Sequence, residues 1–227
     1  MQQSQPFMRW FVTPRLNEAD LPGEIITVRP GFDHPDMPAE VAILLPSNRG
    51  PEILIDHVIE TTPLAADTMI GLFLANPLLN IQSAGKRLKH AKIKWVTNLP
   101  SVSQQDREFS GQLADVDLDH NRELSCLAQF KSFGFRIIAV VTDAEEAKAA
   151  VEINPDVIFV MPRVADFAAG FPSLRQRSSA AQAVAGSMHS HGWSGSLLGL
   201  GLENEIEHPS LWPGTINALV HLPSVVK

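Results

Sequence analysis

Short apolar runs rich in β-branched residues recur along the whole chain, separated by stretches whose apolar positions repeat at helical spacing. This alternation constrains the fold more than any other feature, because strand–helix–strand units connect parallel strands. Runs such as Ile137–Val141 and Val157–Met161 lack the apolar–polar alternation of a half-solvated strand. They fit a parallel sheet covered on both faces. Strands are predicted at Ile25–Arg29, Val41–Leu45, Met69–Ala75, Trp95–Leu99, Ile137–Thr142, Val157–Met161, Ser196–Leu200 and Ala218–Leu222. The repeated Leu-Pro-Ser at 45–47, 99–101 and 222–224 supports three of these strand ends, since proline stops the ladder.

Helices are predicted over Glu52–Thr61, Leu79–His90, Asp119–Phe133, Ala144–Ile153 and Ser173–Met188. Gly134 is a suitable C′ residue, and Asp143 an N-cap with Glu145 and Glu146 in the first turn behind it. Eight strands alternating with helices predict an α/β fold, a (β/α)8 TIM barrel with reduced first and last connections. Only Pro30–Glu40, with three prolines and a glycine, joins the first two strands, and no helix follows the last strand before Lys227. An open doubly wound parallel sheet is the alternative. The 227 residues fit one domain, 1–227, since such barrels occupy about 200 to 250 residues.

Composition narrows the partners. A net charge of −7 argues against nucleic acid, which needs a concentrated basic surface. The one basic cluster, Lys86 to Lys94, reads as a solvated helix face. No apolar run approaches the roughly 18 residues that span a bilayer, and Met1–Phe11 lacks the pattern of a signal peptide. A cytoplasmic protein with no membrane partner is expected. The single cysteine, Cys126, excludes an intramolecular disulfide and a cysteine-based zinc cluster, and its apolar setting predicts a buried, inert thiol.

From about residue 41 to 162 the chain resembles the phosphoenolpyruvate-hydrolase-like TIM-barrel family. The likeness is carried by Trp95-Val96-Thr97-Asn98-Leu99-Pro100-Ser101-Val102 and by Asp106-Arg107-Glu108-Phe109 running to Leu113. It continues through Glu123, Leu127, Ile137–Asp143, Glu145-Glu146-Ala147 and Asn154-Pro155-Asp156-Val157-Ile158, with Leu45–Ile59 similar to the family's second strand and following helix. The chain departs from the family at Phe73-Leu74-Ala75-Asn76-Pro77, where a Cys-Gly-Thr-Asp stretch is usual. It departs again at Met161-Pro162-Arg163-Val164-Ala165, in place of a glycine-rich loop. The resemblance implies activity at the C-terminal rim on a small anionic metabolite, a keto acid or phosphorylated carboxylate. Asn98 matches the family motif and is the first catalytic candidate.

Barrel sites lie where strands end. The predicted rim brings Arg29, Ser47, Asn48, Arg49, Asn76, Asn98, Ser101, Asp143, Arg163, Glu203, Glu205 and Ser224 to that face. Glu203 joins Asn98 as a catalytic candidate, and Arg49, Asn76, Ser101, Asp143 and Arg163 are the substrate-binding candidates. Arginine offers a planar fork of donors for a carboxylate or phosphate. Each residue also has a plainer role: Asn98 as an Asx cap on the following turn, Asp143 as a helix cap, the arginines as surface ion pairs. Glu203 and Glu205 with His208 could take a hard divalent cation; His189 and His191 fall on the opposite, entry side of their strand, and no metal site is assigned. Cofactors stay open, with flavin ranked last. No phosphate loop, nucleophile elbow or triad spacing is present.

Two functions are therefore expected: a hydrolase or lyase on a small anionic molecule, or a diverged, non-catalytic barrel that binds a ligand or a protein. The second draws on the missing family loops and on Trp193, Leu211 and Trp212 as surface-prone apolar residues. A homo-oligomer is expected in either case.

Overall fold

The computed structural model describes residues 7–15, 20–28 and 50–223. Eight strands close a barrel in sequence order: β1 (Phe7–Pro14), β2 (Glu24–Val28), β3 (Thr68–Gly71), β4 (Trp95–Thr97), β5 (Arg136–Val141), β6 (Val157–Val160), β7 (Ser196–Leu200) and β8 (Ala218–His221). From β2 to β8 each successive pair of strands runs parallel. Strand β1 is antiparallel to both β2 and β8 and closes the ring between them.

This corrects the expected fold. The sheet is a closed mixed barrel and not a parallel (β/α)8 TIM barrel, and its closure equally excludes the open doubly wound sheet. The physical reason is β1, which the sequence reading missed. An antiparallel neighbour needs only a short connection, whereas a parallel one needs a crossover, and few residues separate Pro14 from Glu24. The predicted strand Val41–Leu45 lies outside the described residues, as do Arg29, Ser47, Asn48, Arg49 and Ser224.

Among the described residues six α-helices accompany the strands: α1 (Gly50–Glu60), α2 (Ile81–His90), α3 (Arg107–Ala114), α4 (His120–Ser132), α5 (Ala144–Val151) and α6 (Leu174–Ser190). Side-chain oxygens cap most of their N-termini. Asn80 accepts from Ser83 N–H, Asp119 from Arg122 N–H, and Asp143 from Glu145 and Glu146 N–H. Gly134, at φ 82°, follows the C-cap of α4.

The apolar runs are explained by two cores. Alternate strand residues fill the barrel, with Trp10, Ile25, Met69, Trp95, Ile138 and Phe159 among them. The intervening residues, such as Ile26, Ile70, Val96, Ile137 and Ile158, pack under Leu54, Leu88, Leu127 and Phe130 of the helices. A third, smaller cluster holds Trp212 against Ala181, Ile216 and Leu219. Trp212 is thus buried, contrary to the surface role expected of it. Trp193 is half-buried and donates its indole N–H to Pro155 O; of the three, Leu211 alone is exposed. No helix among the described residues is long and apolar enough to cross a membrane.

Candidate functional site

Two polar assemblies stand at the C-terminal ends of the strands. The first begins where β4 stops pairing through its backbone. Asn98 is fully buried; its Oδ1 accepts Val140 N–H from β5 at 2.8 Å. Its Nδ2 donates to Glu123 Oε2 at 3.0 Å and lies 3.2 Å from Ser101 Oγ. Ser101 Oγ donates to the same carboxylate oxygen at 2.5 Å, and Val102 N–H donates to the other at 3.1 Å. Glu123, on the first turns of α4, is fully buried and tied to the β4 loop by these three donors. Such satisfaction is what a buried carboxylate requires.

His120, at the start of α4, extends this assembly. Its Nδ1 lies 2.9 Å from Ser103 Oγ and 3.6 Å from Glu123 Oε2. Burial works to lower the imidazole pKa. The hydrogen bond and charge of Glu123, helped by the charges of Glu146 and Asp119, outweigh burial and raise it above its ordinary value. The group has the residue types of a serine–histidine–carboxylate relay but not its geometry. A relay holds the nucleophile on one ring nitrogen and the carboxylate on the other. Here Nδ1 faces both, and Nε2 is buried without a partner among the described residues.

The second assembly joins the ends of β5, β6 and β7. Asp143 caps α5, and Glu146 accepts from Thr142 N–H and Thr142 Oγ at 2.7 and 2.8 Å. Arg163, beyond β6, donates from Nε to Thr142 Oγ1 at 3.0 Å, and from Nη2 to Asp143 at 2.8 Å and Glu146 at 3.2 Å. The guanidinium expected to hold an anion is met by two carboxylates of the protein. Arg163 N–H in turn donates to Asp166 Oδ2 at 2.8 Å.

On α6, Arg177 is 5% exposed. It forms a bidentate pair with Glu205 at 2.6 and 2.9 Å and donates to Leu200 O and Pro172 O. Its guanidinium lies over the rings of Phe171 and Trp212, 4.7 and 5.0 Å from their centroids. One side chain therefore fixes the segment after β6 and the segment after β7 to α6. Between these segments and the strand ends is a cavity of about 180 Å3. Thr142, Asp166, Gln176 and Arg177 supply its polar wall; Met161, Pro162, Pro172, Ala180 and Leu200 supply much of the apolar one.

The predicted residues separate into two pairs and two outliers. Asn98 meets Ser101, and Asp143 meets Arg163. Asn76, beyond β3, accepts from Leu78 N–H in its own turn. Glu203 lies in an exposed 3-10 turn after β7, three strands around the barrel from Asn98. Its neighbour Glu205 is committed to Arg177, which removes it from the cation site considered with His208. Among the described residues no three His, Cys, Asp or Glu side chains are grouped to hold a metal ion. His191 instead lies at the end of α6, with Nδ1 2.7 Å from Ser187 O. Cys126 is buried beside Leu74 O, and burial pushes its thiol pKa up.

Sequence reasoning missed His120 and Arg177, met Glu123 only through the family spacing, and read Glu146 only as a first-turn acid and part of that likeness. Glu123 carried a usable signal. It falls on the same helical face as the core residues Leu127 and Phe130, four and seven positions on, where an acidic residue must have buried donors. No protein-family model and no curated protein matches this sequence.

Proposed function

We propose that this protein is a small-molecule-binding barrel whose site is the cavity at the C-terminal ends of β5, β6 and β7. The observation that carries this reading is the Arg177 clamp. A buried, fully engaged guanidinium holds both segments that wall the cavity, so the space is preformed before a ligand arrives. A dry cavity of about 150 Å3 accepts benzene, so about 180 Å3 suits a ligand of one ring or a comparable branched body.

Binding without catalysis is the better fit. The fully buried Asn98 is spent on Val140, Ser101 and Glu123, and the His120 group lacks relay geometry. The family resemblance gives the cavity little: Thr142 lies in the similar stretch Ile137–Asp143, but Met161 and Pro162, also on the wall, open the segment where the chain departs from that family. The protein is proposed to work in the cytoplasm, where its single thiol stays reduced.

Ala180→Leu places a larger side chain on the cavity wall at a helical position that accepts leucine. A thermal-shift screen against monocyclic amines, alcohols, carboxylates and phosphates should give hits with the native protein and none with this variant. Hits of equal size in both would remove the cavity as the site.

A further inference from the structure

We infer that the ligand presents a cationic amine to Asp166, an inference that rests on the cavity being the binding site. The polar groups around the cavity differ in whether the protein already engages them. Both guanidinium groups near the cavity are neutralised by the protein itself: Arg163 by Asp143 and Glu146, Arg177 by Glu205. Thr142 Oγ1 is used twice, donating to Glu146 and accepting from Arg163. Asp166 is different. One of its oxygens accepts the Arg163 backbone N–H, and no cationic side chain among the described residues pairs with its charge.

Gln176 is the second unspent group. Its Oε1 accepts from Ser173 N–H and Ser173 Oγ, which leaves the Nε2 donor to the cavity. Beside the already engaged Thr142 and Arg177, the wall therefore offers one anionic acceptor and one neutral donor next to its apolar residues. Two guanidinium groups against four carboxylates, Asp143, Glu146, Asp166 and Glu205, leave this rim acidic. Among the described residues Arg163 Nη1 has no partner, but that nitrogen belongs to a guanidinium already facing two carboxylates. An incoming anion would meet their repulsion. A small amine with an apolar body and a hydrogen-bond acceptor would satisfy Asp166, the apolar wall and Gln176 together.

The test uses the full chain and four probes: benzylamine, benzyl alcohol, benzoate and inorganic phosphate, the first three sharing one ring. Affinities are read by amide chemical-shift titration in the native protein, Asp166→Asn and Ala180→Leu. Asparagine at 166 keeps an acceptor for the Arg163 N–H, so the local turn is preserved. Benzylamine should bind about threefold more tightly than benzyl alcohol, the factor an ion pair to an exposed carboxylate such as Asp166 supplies. Asp166→Asn should remove that factor, and Ala180→Leu should remove binding of both. Benzoate or phosphate binding as tightly as benzylamine, and lost in Ala180→Leu, would overturn the amine while keeping the cavity. Benzylamine affinity unchanged by Asp166→Asn would also overturn it, as long-range attraction to a chain of net charge −7. No binding by any probe, or binding indifferent to Ala180→Leu, would overturn the cavity and the amine together.

Discussion

The side chain of Asn98 accepts the backbone N–H of Val140 at 2.8 Å, so an amide group continues between β4 and β5 the ladder that the β4 backbone leaves at Thr97. Its other end serves Glu123. Asn98→Ala should lower stability by about 2–4 kcal/mol, because it strands a buried N–H and removes a donor from a buried carboxylate. Asn98→Asp should be worse, although it is isosteric and keeps the acceptor, since it sets a second carboxylate against Glu123. Urea unfolding of both variants checks the order; an aspartate variant more stable than the alanine one would contradict the network described here.

The raised pKa of His120 gives the protein a signed pH dependence. Burial pulls the pKa down, but Glu123, Glu146 and Asp119 together lift it above 6.5. A folded-state pKa above the unfolded value gives stability that is complete below the unfolded pKa and is lost as pH rises through the folded one. The urea midpoint should therefore fall as pH rises beyond 6.5, the ordinary histidine value, and His120→Gln should flatten that fall. Parallel slopes in the two proteins would assign the pH dependence elsewhere.

Much of the barrel could be read in the chain because both faces of its strands are buried. The runs at 137–141 and 157–161 have no polar side to hide them, and Asp143 marks its helix as a cap. Strand β1 was not legible for the opposite reason. In Phe7–Pro14 only Trp10 and Val12 are buried, and Arg9 before them and Phe11 between them face outward. Its direction is set by ring closure, which no local pattern encodes. The site divides in the same way. Asp143 and Arg163 meet because Val141 pairs with Val160, so a contact across twenty residues depends on sheet register. Arg177 reads as a surface residue of an Ala-, Ser- and Gln-rich helix, and only tertiary packing brings Phe171, Trp212 and Glu205 around it.

That packing makes the Arg177–Glu205 pair a sensitive point. Breaking a buried pair by removing one partner costs about 3–5 kcal/mol, because the remaining charge is left unpaired. Arg177→Ala should show a loss of that size, since it also gives up two carbonyl contacts and the stacking on Phe171 and Trp212. Glu205→Gln should lose less, because the amide oxygen still accepts from the guanidinium. Comparable losses in the two variants would mean that the ion pair, not the packing of the arginine, carries the clamp.

Two glycines should respond to alanine with opposite signs. At Gly71, the last residue of β3, an added Cβ would stand 2.4 Å from Thr27 Cγ2 and 2.7 Å from Leu99 O. Real side chains do not tolerate such approaches, and one of the contacts is backbone. The strand or the β4 loop must shift, so Gly71→Ala should destabilise by about 1–3 kcal/mol. Gly111 lies inside α3 with nothing within 4 Å of its added Cβ. Alanine there costs no space and relieves the entropy of a helical glycine, so Gly111→Ala should stabilise by about 0.5–1 kcal/mol. Melting of the two variants side by side checks both signs. A neutral Gly71→Ala would mean that β3 and the Leu99 carbonyl are not held at the separation that closes the barrel wall beneath Asn98.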